Sequence, residues 1–157
     1  MIAVDTNVFG YAEGGDDTRK CKVAMDWLLR LNGDVVMPTQ VAGELYNVLT
    51  RKFRWNRALA TERVDRWRNA TVFVAPSASD FDDALRLATE HNLQIWDALI
   101  LVVSATAGCR ALLSEDMQNG FVYRGVTVAN PFAERIHPLL ASLMDSLTPS
   151  RPAGAPE

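Results

Sequence analysis

The chain has 157 residues, of which 48% are hydrophobic and 22% charged, and its formal net charge is −3. This length suits one globular domain with a sizeable core. Two cysteines, Cys21 and Cys109, are too few for a disulfide framework, so we expect near-core thiols and a cytoplasmic protein. The longest apolar stretch, residues 98–107, is too short to cross a bilayer, and no basic region precedes the apolar N-terminus. Neither a membrane span nor a secretory signal is therefore predicted.

The charge is unevenly distributed along the chain. Between Arg51 and Arg68 there are seven basic and two acidic residues, a local charge of +5, which leaves −8 for the remainder. Because the local field governs contact with a polyanion, the acidic net charge does not argue against a nucleic-acid partner.

Short apolar runs alternate with longer segments of helical periodicity. The runs that predict strands are residues 2–4, 35–37, 71–74, 111–113 and 126–128. Six helical segments are predicted, with caps at Asp17 or Thr18, at Thr39 and at Ser79, and with starts at Arg57, Asp97 and Asn130. This alternation predicts an α/β fold with a mostly parallel sheet, for which the sequence offers five strands.

The later helices carry more specific expectations. Ser79 with Asp82 resembles a shortened capping box, and the helix that follows has an apolar stripe. That stripe comprises Phe81, Ala84, Leu85 and Ala88. The helix that opens at Asp97 is apolar almost all round, which predicts a buried helix ending near Gly108. The final residues, from about 148, are rich in Pro, Ala and Gly and are predicted to be disordered.

Four acidic residues occupy unusual places for charged side chains. Asp5 and Asp116 follow apolar strands, Asp97 opens an apolar helix, and Glu44 lies on the apolar face of its helix. Each residue alone has an ordinary explanation as a cap, a turn residue or a loop residue. Because ligands bind beyond the carboxyl ends of parallel strands, the four together favour one site at that edge.

Converging carboxylates need a compensating charge. Two carboxylates ~4 Å apart repel by about 4 kcal/mol at an effective dielectric constant of roughly 20. Hard oxygen ligands suit Mg²⁺ or Mn²⁺, and no Cys/His cluster indicates zinc. Such a cation activates water and stabilises charge on a phosphodiester. Thr6, Asn7 and Ser114 are polar neighbours that could donate hydrogen bonds to the acids.

Five segments, taken in order, resemble one protein family. They are residues 4–9 (VDTNVF), 41–45 (VAGEL), 96–100 (WDALI), 113–120 (LSEDMQNG) and 125–132 (GVTVANPF). Their order and spacing resemble the PIN-domain ribonucleases, and among them the toxins of VapBC-type toxin–antitoxin pairs. The resemblance covers residues 1 to about 140, which we expect to form the domain, with 141–157 as a C-terminal extension.

The resemblance implies a three-layer α/β/α fold and RNA cleavage that depends on Mg²⁺ or Mn²⁺. It assigns the acidic pocket to Asp5, Glu44, Asp97 and Asp116, with Asn7 and Ser114 in support. Glu115, the neighbour of Asp116, ranks below it as a candidate. The resemblance also implies a homodimer and an antitoxin protein that silences the enzyme.

Basic and aromatic residues alternate just after the Glu44 helix. Arg51, Lys52, Arg54 and Arg57 are candidates for contact with RNA or a protein partner, and Trp55 could stack a base. In the other interpretation the segment is a solvated helix end, with Phe53 and Trp55 packed inward. We favour inward packing for Trp55 and partner contact for the cations. Three further tryptophans, Trp27, Trp67 and Trp96, are expected in the core or an interface.

Two other functions stay open at this point. In an aspartyl-phosphate enzyme Asp5 would be the nucleophile, but that pattern has a second acid two residues later, where this chain has Asn7. A PIN-like scaffold could instead bind RNA or protein without cleaving it. Such scaffolds usually lack one or more of the acids, whereas all four are present here.

Overall fold

The computed structural model describes residues 1–147, so the disorder predicted from about residue 148 lies outside the described residues. The strands are β1 (Ile2–Val4), β2 (Val35–Pro38), β3 (Val72–Val74), β4 (Ala111–Leu113), β5 (Val122–Tyr123) and β6 (Val126–Ala129). The α-helices are α1 (Thr6–Glu13), α2 (Thr18–Leu31), α3 (Thr39–Asn47), α4 (Arg57–Ala70), α5 (Ala78–His91), α6 (Ile95–Thr106) and α7 (Pro138–Leu147). A π-helical turn, Val48–Lys52, continues α3.

The strands form one sheet in the order β3-β2-β1-β4-β6-β5. All neighbouring strands are parallel except β5 and β6, which form an antiparallel hairpin. From β1 the chain proceeds to β2 and β3 on one side and then crosses to β4 on the other. The strand order therefore reverses between β1 and β4, and ligands of α/β proteins bind at such a reversal, beyond the carboxyl ends of the strands.

The core lies on both faces of this sheet. All residues of β1, β2 and β4 are buried, which is typical of parallel strands covered by helices on both sides. Helix α6 is buried at every position from Ala98 to Ser104, as its apolar sequence predicts. The predicted α/β class with a mostly parallel sheet is therefore confirmed.

Two elements were not predicted from the sequence. Strand β5 makes the sheet six-stranded rather than five-stranded, and it has only two residues. Arg124 and Gly125 connect it to β6 with φ values of 44° and 84°, the positive angles that a tight hairpin turn requires. Helix α1 was also missed. It begins directly after Asp5 and ends at Glu13, before the capping residue Gly14, whose φ is 125°.

The start of α5 differs from the prediction by two residues. Ser77, not Ser79, is the N-cap, and Asp80, not Asp82, completes the capping box. An Asp80 carboxylate oxygen accepts the backbone N–H of Ser77 at 2.8 Å. The buried positions of the helix are accordingly Asp80, Ala84 and Leu87. The predicted stripe was wrong at Phe81 and Leu85, which are 40% and 47% exposed.

Three other helix starts are also shifted. Thr39 is the first residue of α3 rather than its cap. Helix α6 begins at Ile95, so Asp97 lies in its first turn instead of opening it. The last described helix begins at Pro138, not at Asn130, because the Asn130 side chain accepts a backbone hydrogen bond from two residues further on and forms a tight turn.

The remaining tryptophans and cysteines occupy different depths. Trp27 is buried, and Trp67 packs against the ring of Phe9 with 5.2 Å between centroids. Trp96 is 52% exposed and so does not belong to the core; its place in an interface stays a prediction. Cys109 is buried and Cys21 half-buried, and both are free thiols. No helix among residues 1–147 has the length and apolarity needed to cross a membrane.

Candidate acidic active site

Asp5 lies at the point where the strand order reverses. Its backbone N–H donates to the carbonyl oxygen of Leu113 at the end of β4 across 2.9 Å, so the chain leaves β1 and β4 side by side. As the N-cap of α1, Asp5 accepts the backbone N–H of Thr6 at 2.7 Å. Its other carboxylate oxygen accepts the hydroxyl of Ser114, also at 2.7 Å. Both oxygens of this buried carboxylate are therefore fixed by hydrogen bonds.

Asn7, in the first turn of α1, connects the acids that follow the two strands. Its amide nitrogen donates to Asp5 Oδ2 at 3.2 Å and to Asp116 Oδ2 at 3.3 Å. Its amide oxygen accepts the backbone N–H of Glu115 at 3.3 Å. One side chain thus sets the separation of Asp5 and Asp116, which are far apart in sequence.

Glu44 approaches the same place from α3. The hydroxyl of Thr6 donates to Glu44 Oε2 at 2.9 Å, which links the start of α1 to the middle of α3. Glu44 is half-buried, and the residues around it on this helix, Val41 and Leu45, are fully buried. The buried neighbours fix α3 against the core, and this holds the Glu44 carboxylate at the site.

Asp97 completes the set from the first turn of α6. Burial raises the pKa of its carboxyl group above the ordinary value, and the negative charge of Asp116 raises it further. Asp116 itself is exposed, so the two acids lie on the inner and outer parts of one site.

All four acids line one cavity of about 640 Å³, together with Thr6 and Asn7. Ser114 is fully buried behind Asp5. Lys52 is the basic residue in the lining. Among the described residues, none of the four carboxylates forms an ion pair with Lys, Arg or His. The cavity therefore concentrates negative charge that protein cations do not neutralise.

The pKa of the Asp5 carboxyl group is raised to about 6, chiefly by its burial and to a smaller extent by the charges of Glu44 and Asp97. The hydrogen bonds from Ser114 and from the backbone of Thr6 favour the ionised form and oppose part of the rise. Hydrogen bonds therefore hold the Asp5 carboxylate in place, while its burial disfavours the ionised form.

Glu115 also lines the cavity but differs from the four acids. Its carboxylate is paired with the ammonium group of Lys20, which also donates to the Tyr11 hydroxyl at 3.2 Å. The same ammonium lies 5.1 Å from the Tyr11 ring centroid and 5.8 Å from that of Phe132. Sequence reasoning missed Lys20, because its partner is 95 residues away and no local pattern connects them.

The oxygen donors in the cavity are of the kind that Mg²⁺ and Mn²⁺ prefer. In the side-chain positions of residues 1–147, however, no group of three or more His, Cys, Asp or Glu residues could hold a metal ion as it stands. The structure therefore brings the predicted residues to one cavity without forming a complete set of metal ligands.

The basic segment adjoins this cavity through the π-helical turn. Lys52 faces the acidic cavity, whereas Arg51 and Arg57 line a second one. All four basic residues, including Arg54, are exposed. Phe53 and Trp55 are half-buried and pack against the core, as predicted for Trp55.

The chain belongs to the PIN domain family, because the model of that family matches residues 2–119. This confirms the resemblance drawn from the five motifs. No curated protein sequence matched the chain.

Solved structures share the fold at low sequence identity. VapC20 of Mycobacterium tuberculosis, described as a sarcin-ricin loop cleaving toxin, is 20% identical with a TM-score of 0.62, covering 74% of this chain and 90% of that one. A toxin–antitoxin complex from Klebsiella pneumoniae is 17% identical with a TM-score of 0.65, covering 84% and 98%. VapBC2 from Rickettsia felis, bound to a promoter DNA fragment, is 16% identical with a TM-score of 0.60, covering 83% and 98%. These similarities establish the fold.

Proposed function

We propose that the protein is an endoribonuclease that hydrolyses RNA phosphodiester bonds with the help of Mg²⁺ or Mn²⁺. The observation that carries this proposal is the acidic cavity at the strand-order reversal of a PIN domain. Four carboxylates line it, and within residues 1–147 none has a cationic partner. Such an arrangement is costly for stability and is typical of a site that serves chemistry.

A divalent cation fits this cavity on the chemistry of its donors. Asp5, Glu44, Asp97 and Asp116 supply only oxygen ligands, and their uncompensated charge favours a cation over protonation near neutral pH. Binding would include small shifts of these side chains, since they do not form a ligand cage as they stand. A bound Mg²⁺ or Mn²⁺ would lower the pKa of a coordinated water and stabilise negative charge on the phosphodiester.

The surrounding residues would position the acids. Ser114 and the backbone of Thr6 fix the position of the Asp5 carboxylate and favour its ionised form against the effect of burial. The Asn7 amide sets the separation of Asp5 and Asp116, and the Thr6 hydroxyl orients Glu44. Fixed hydrogen-bond partners of this kind support the geometry and affinity of metal ligands.

The basic segment would bind the substrate backbone. Arg51, Lys52, Arg54 and Arg57 follow the Glu44 helix without an intervening acid, which gives a local charge of +4. A polyanion could approach the acidic cavity along this surface, because its other phosphates would be attracted by the arginines. Specificity for one RNA would then come from loops and surface rather than from the acids.

We also propose the biological context of a toxin whose antitoxin is a second protein. The names of the structural relatives include a toxin that cleaves the sarcin-ricin loop and toxin–antitoxin complexes. A basic antitoxin side chain could enter the acidic cavity and occupy the place of the cation. A homodimer is part of this proposal, as the resemblance implies.

Cleavage of total cellular RNA by the purified protein tests the proposed activity. We expect discrete cuts with Mg²⁺ or Mn²⁺, none with EDTA, and none with Asp5→Asn. The matched control is Asp26→Asn, which removes an exposed acid of α2 that pairs with Arg30 outside the cavity. The control should cleave as the wild type does.

Two outcomes would count against the proposal. Equal cleavage by wild type and Asp5→Asn would mean that another protein or another site is responsible. Tight RNA binding without cleavage, in folded protein with metal bound, would instead support a non-catalytic scaffold.

A further inference from the structure

A second cavity, of about 500 Å³, lies beside the acidic one. Its lining comprises Tyr46, Asn47, Thr50, Arg51, Trp55, Asn56 and Arg57. Asn47 lines both cavities, so they meet at the end of α3. The π-helical turn that follows divides its cations between the two spaces, with Lys52 in the first and Arg51 in the second.

The two arginines of this second cavity lack the carboxylate partner that six other arginines of residues 1–147 have. Arg30, Arg63, Arg66, Arg68, Arg86 and Arg124 are each paired with a carboxylate. Within the described chain, neither Arg51 nor Arg57 forms an ion pair with an acidic side chain, and both are exposed. Two unneutralised guanidinium groups at one concavity fit a ligand that brings its own negative charge, such as a phosphate.

The other walls fit a nucleotide. Trp55 is half-buried and presents part of its indole, while Arg63 lies 5.9 Å from its ring centroid and Phe53 packs beside it at 6.0 Å. These neighbours hold the ring in one orientation. A fixed aromatic ring beside cationic groups is the arrangement that stacks a base while the backbone is held electrostatically. Asn47 adds an exposed amide at the boundary between the cavities.

We propose that this second cavity is a nucleotide subsite for single-stranded RNA whose scissile phosphodiester lies in the acidic cavity. Arg51 and Arg57 bind a phosphate of a nucleotide next to the cut, and Trp55 contacts its base. The RNA strand passes from one cavity to the other at Asn47. The acidic cavity alone would repel RNA, and the two arginines attract it. The inference rests on the proposed ribonuclease function and assigns these residues to substrate binding.

Binding of a fluorescein-labelled single-stranded RNA oligonucleotide, followed by anisotropy, tests this subsite. All proteins carry Asp97→Asn so that the probe is not cleaved. Arg51→Gln with Arg57→Gln should weaken binding about tenfold. The dependence of log affinity on log salt should become shallower by about 0.7, the change expected for one lost phosphate contact with a single strand. The matched control, Arg30→Gln with Arg86→Gln, removes the same charge from paired arginines elsewhere and should leave the affinity and the slope unchanged.

Steady-state cleavage by the otherwise wild-type enzyme gives a second readout. The Arg51/Arg57 double variant should raise KM and leave kcat close to the wild-type value, since these residues bind the substrate away from the reacting atoms. Equal affinity and equal KM in the test and control variants would overturn the subsite while the ribonuclease function stands. Loss of affinity for an acidic partner protein, with RNA binding intact, would assign the cavity to that protein and also overturn the proposal.

Failure of the proposed ribonuclease function would give a different result from failure of the subsite alone. If the wild-type protein does not cleave RNA and its Asp97→Asn form does not bind the oligonucleotide, both proposals fall together. If it cleaves RNA and only the double-variant effect is absent, the subsite alone is wrong.

Discussion

Ser114 donates its hydroxyl hydrogen to the Asp5 carboxylate across 2.7 Å, although the two residues are 109 positions apart. The contact exists because β1 and β4 are parallel neighbours that end in register, with Val4 opposite Leu113. It joins the two halves of the chain at the point where the strand order reverses. The geometry of the acidic site therefore follows from the topology of the sheet.

Removal of this hydroxyl should weaken metal binding. In Ser114→Ala the Asp5 carboxylate loses a hydrogen bond that lowers its pKa, so the ionised form becomes less favourable. We expect the Mn²⁺ affinity to fall by about 10-fold to 100-fold, as for other residues that support metal ligands. Calorimetric titration with Mn²⁺ measures it. Ser104→Ala is the control, because Ser104 is equally buried but its hydroxyl donates to the backbone of Ile100 within α6. Similar losses in both variants would refute a specific role.

Asp5 should make the stability of the metal-free protein depend on pH. Its pKa is about 6 in the folded protein and 3.8 in the reference state, so the folded state holds more protons between these values. Stability is therefore greatest below pH 4 as far as this group is concerned, and it falls as the pH rises to about 6. The difference between these two pKa values corresponds to about 3 kcal/mol of unfolding free energy.

Asp5→Asn should consequently stabilise the metal-free protein at neutral pH, by about 1 to 3 kcal/mol, because the amide carries no charge and still serves as an N-cap. Urea denaturation in EDTA at pH 5 and pH 7.5 measures the difference, which should be larger at pH 7.5. A destabilised variant at pH 7.5 would show that the hydrogen bonds of the carboxylate outweigh its burial.

The hydrogen bond between Trp67 and Glu13 should contribute to the stability of the fold. Trp67 donates its indole N–H to the Glu13 carboxylate at 2.6 Å, and the Glu13 side chain is only 6% exposed. In Trp67→Phe this buried carboxylate loses a partner, which should cost about 1 to 3 kcal/mol of unfolding free energy. Trp96→Phe, at a 52% exposed position, should cost much less. Equal effects in guanidinium denaturation would contradict this account.

The elements that could be predicted from the sequence are those with a simple pattern of apolar residues. The buried strands and the apolar helix α6 follow from apolar runs. Asp5 and Asp116, which come directly after two of these strands, and Asp97, at the start of α6, were therefore expected at one edge of the sheet. Glu44 was identified because a charge on an apolar helical face needs an explanation.

The features that could not be predicted depend on competition between near-equal local choices or on distant partners. Ser77 and Ser79 are both plausible caps, and the structure favours Ser77, whose capping partner Asp80 also accepts a hydrogen bond from the distant Thr106 hydroxyl at 2.8 Å. Helix α1 was missed because Gly10 lies within it and the glycines Gly14 and Gly15 follow soon after. The Lys20–Glu115 pair joins residues that no sequence spacing relates.

The central claim is that four carboxylates act together as one divalent-metal site. Calorimetric titration of the metal-free protein with Mn²⁺ tests it most directly, with Asp97→Asn and the exposed control Asp26→Asn measured alongside. We expect the wild type and the control to bind Mn²⁺ and Asp97→Asn to lose that binding. Unchanged Mn²⁺ binding in Asp97→Asn, or no binding by the folded wild type, would contradict it.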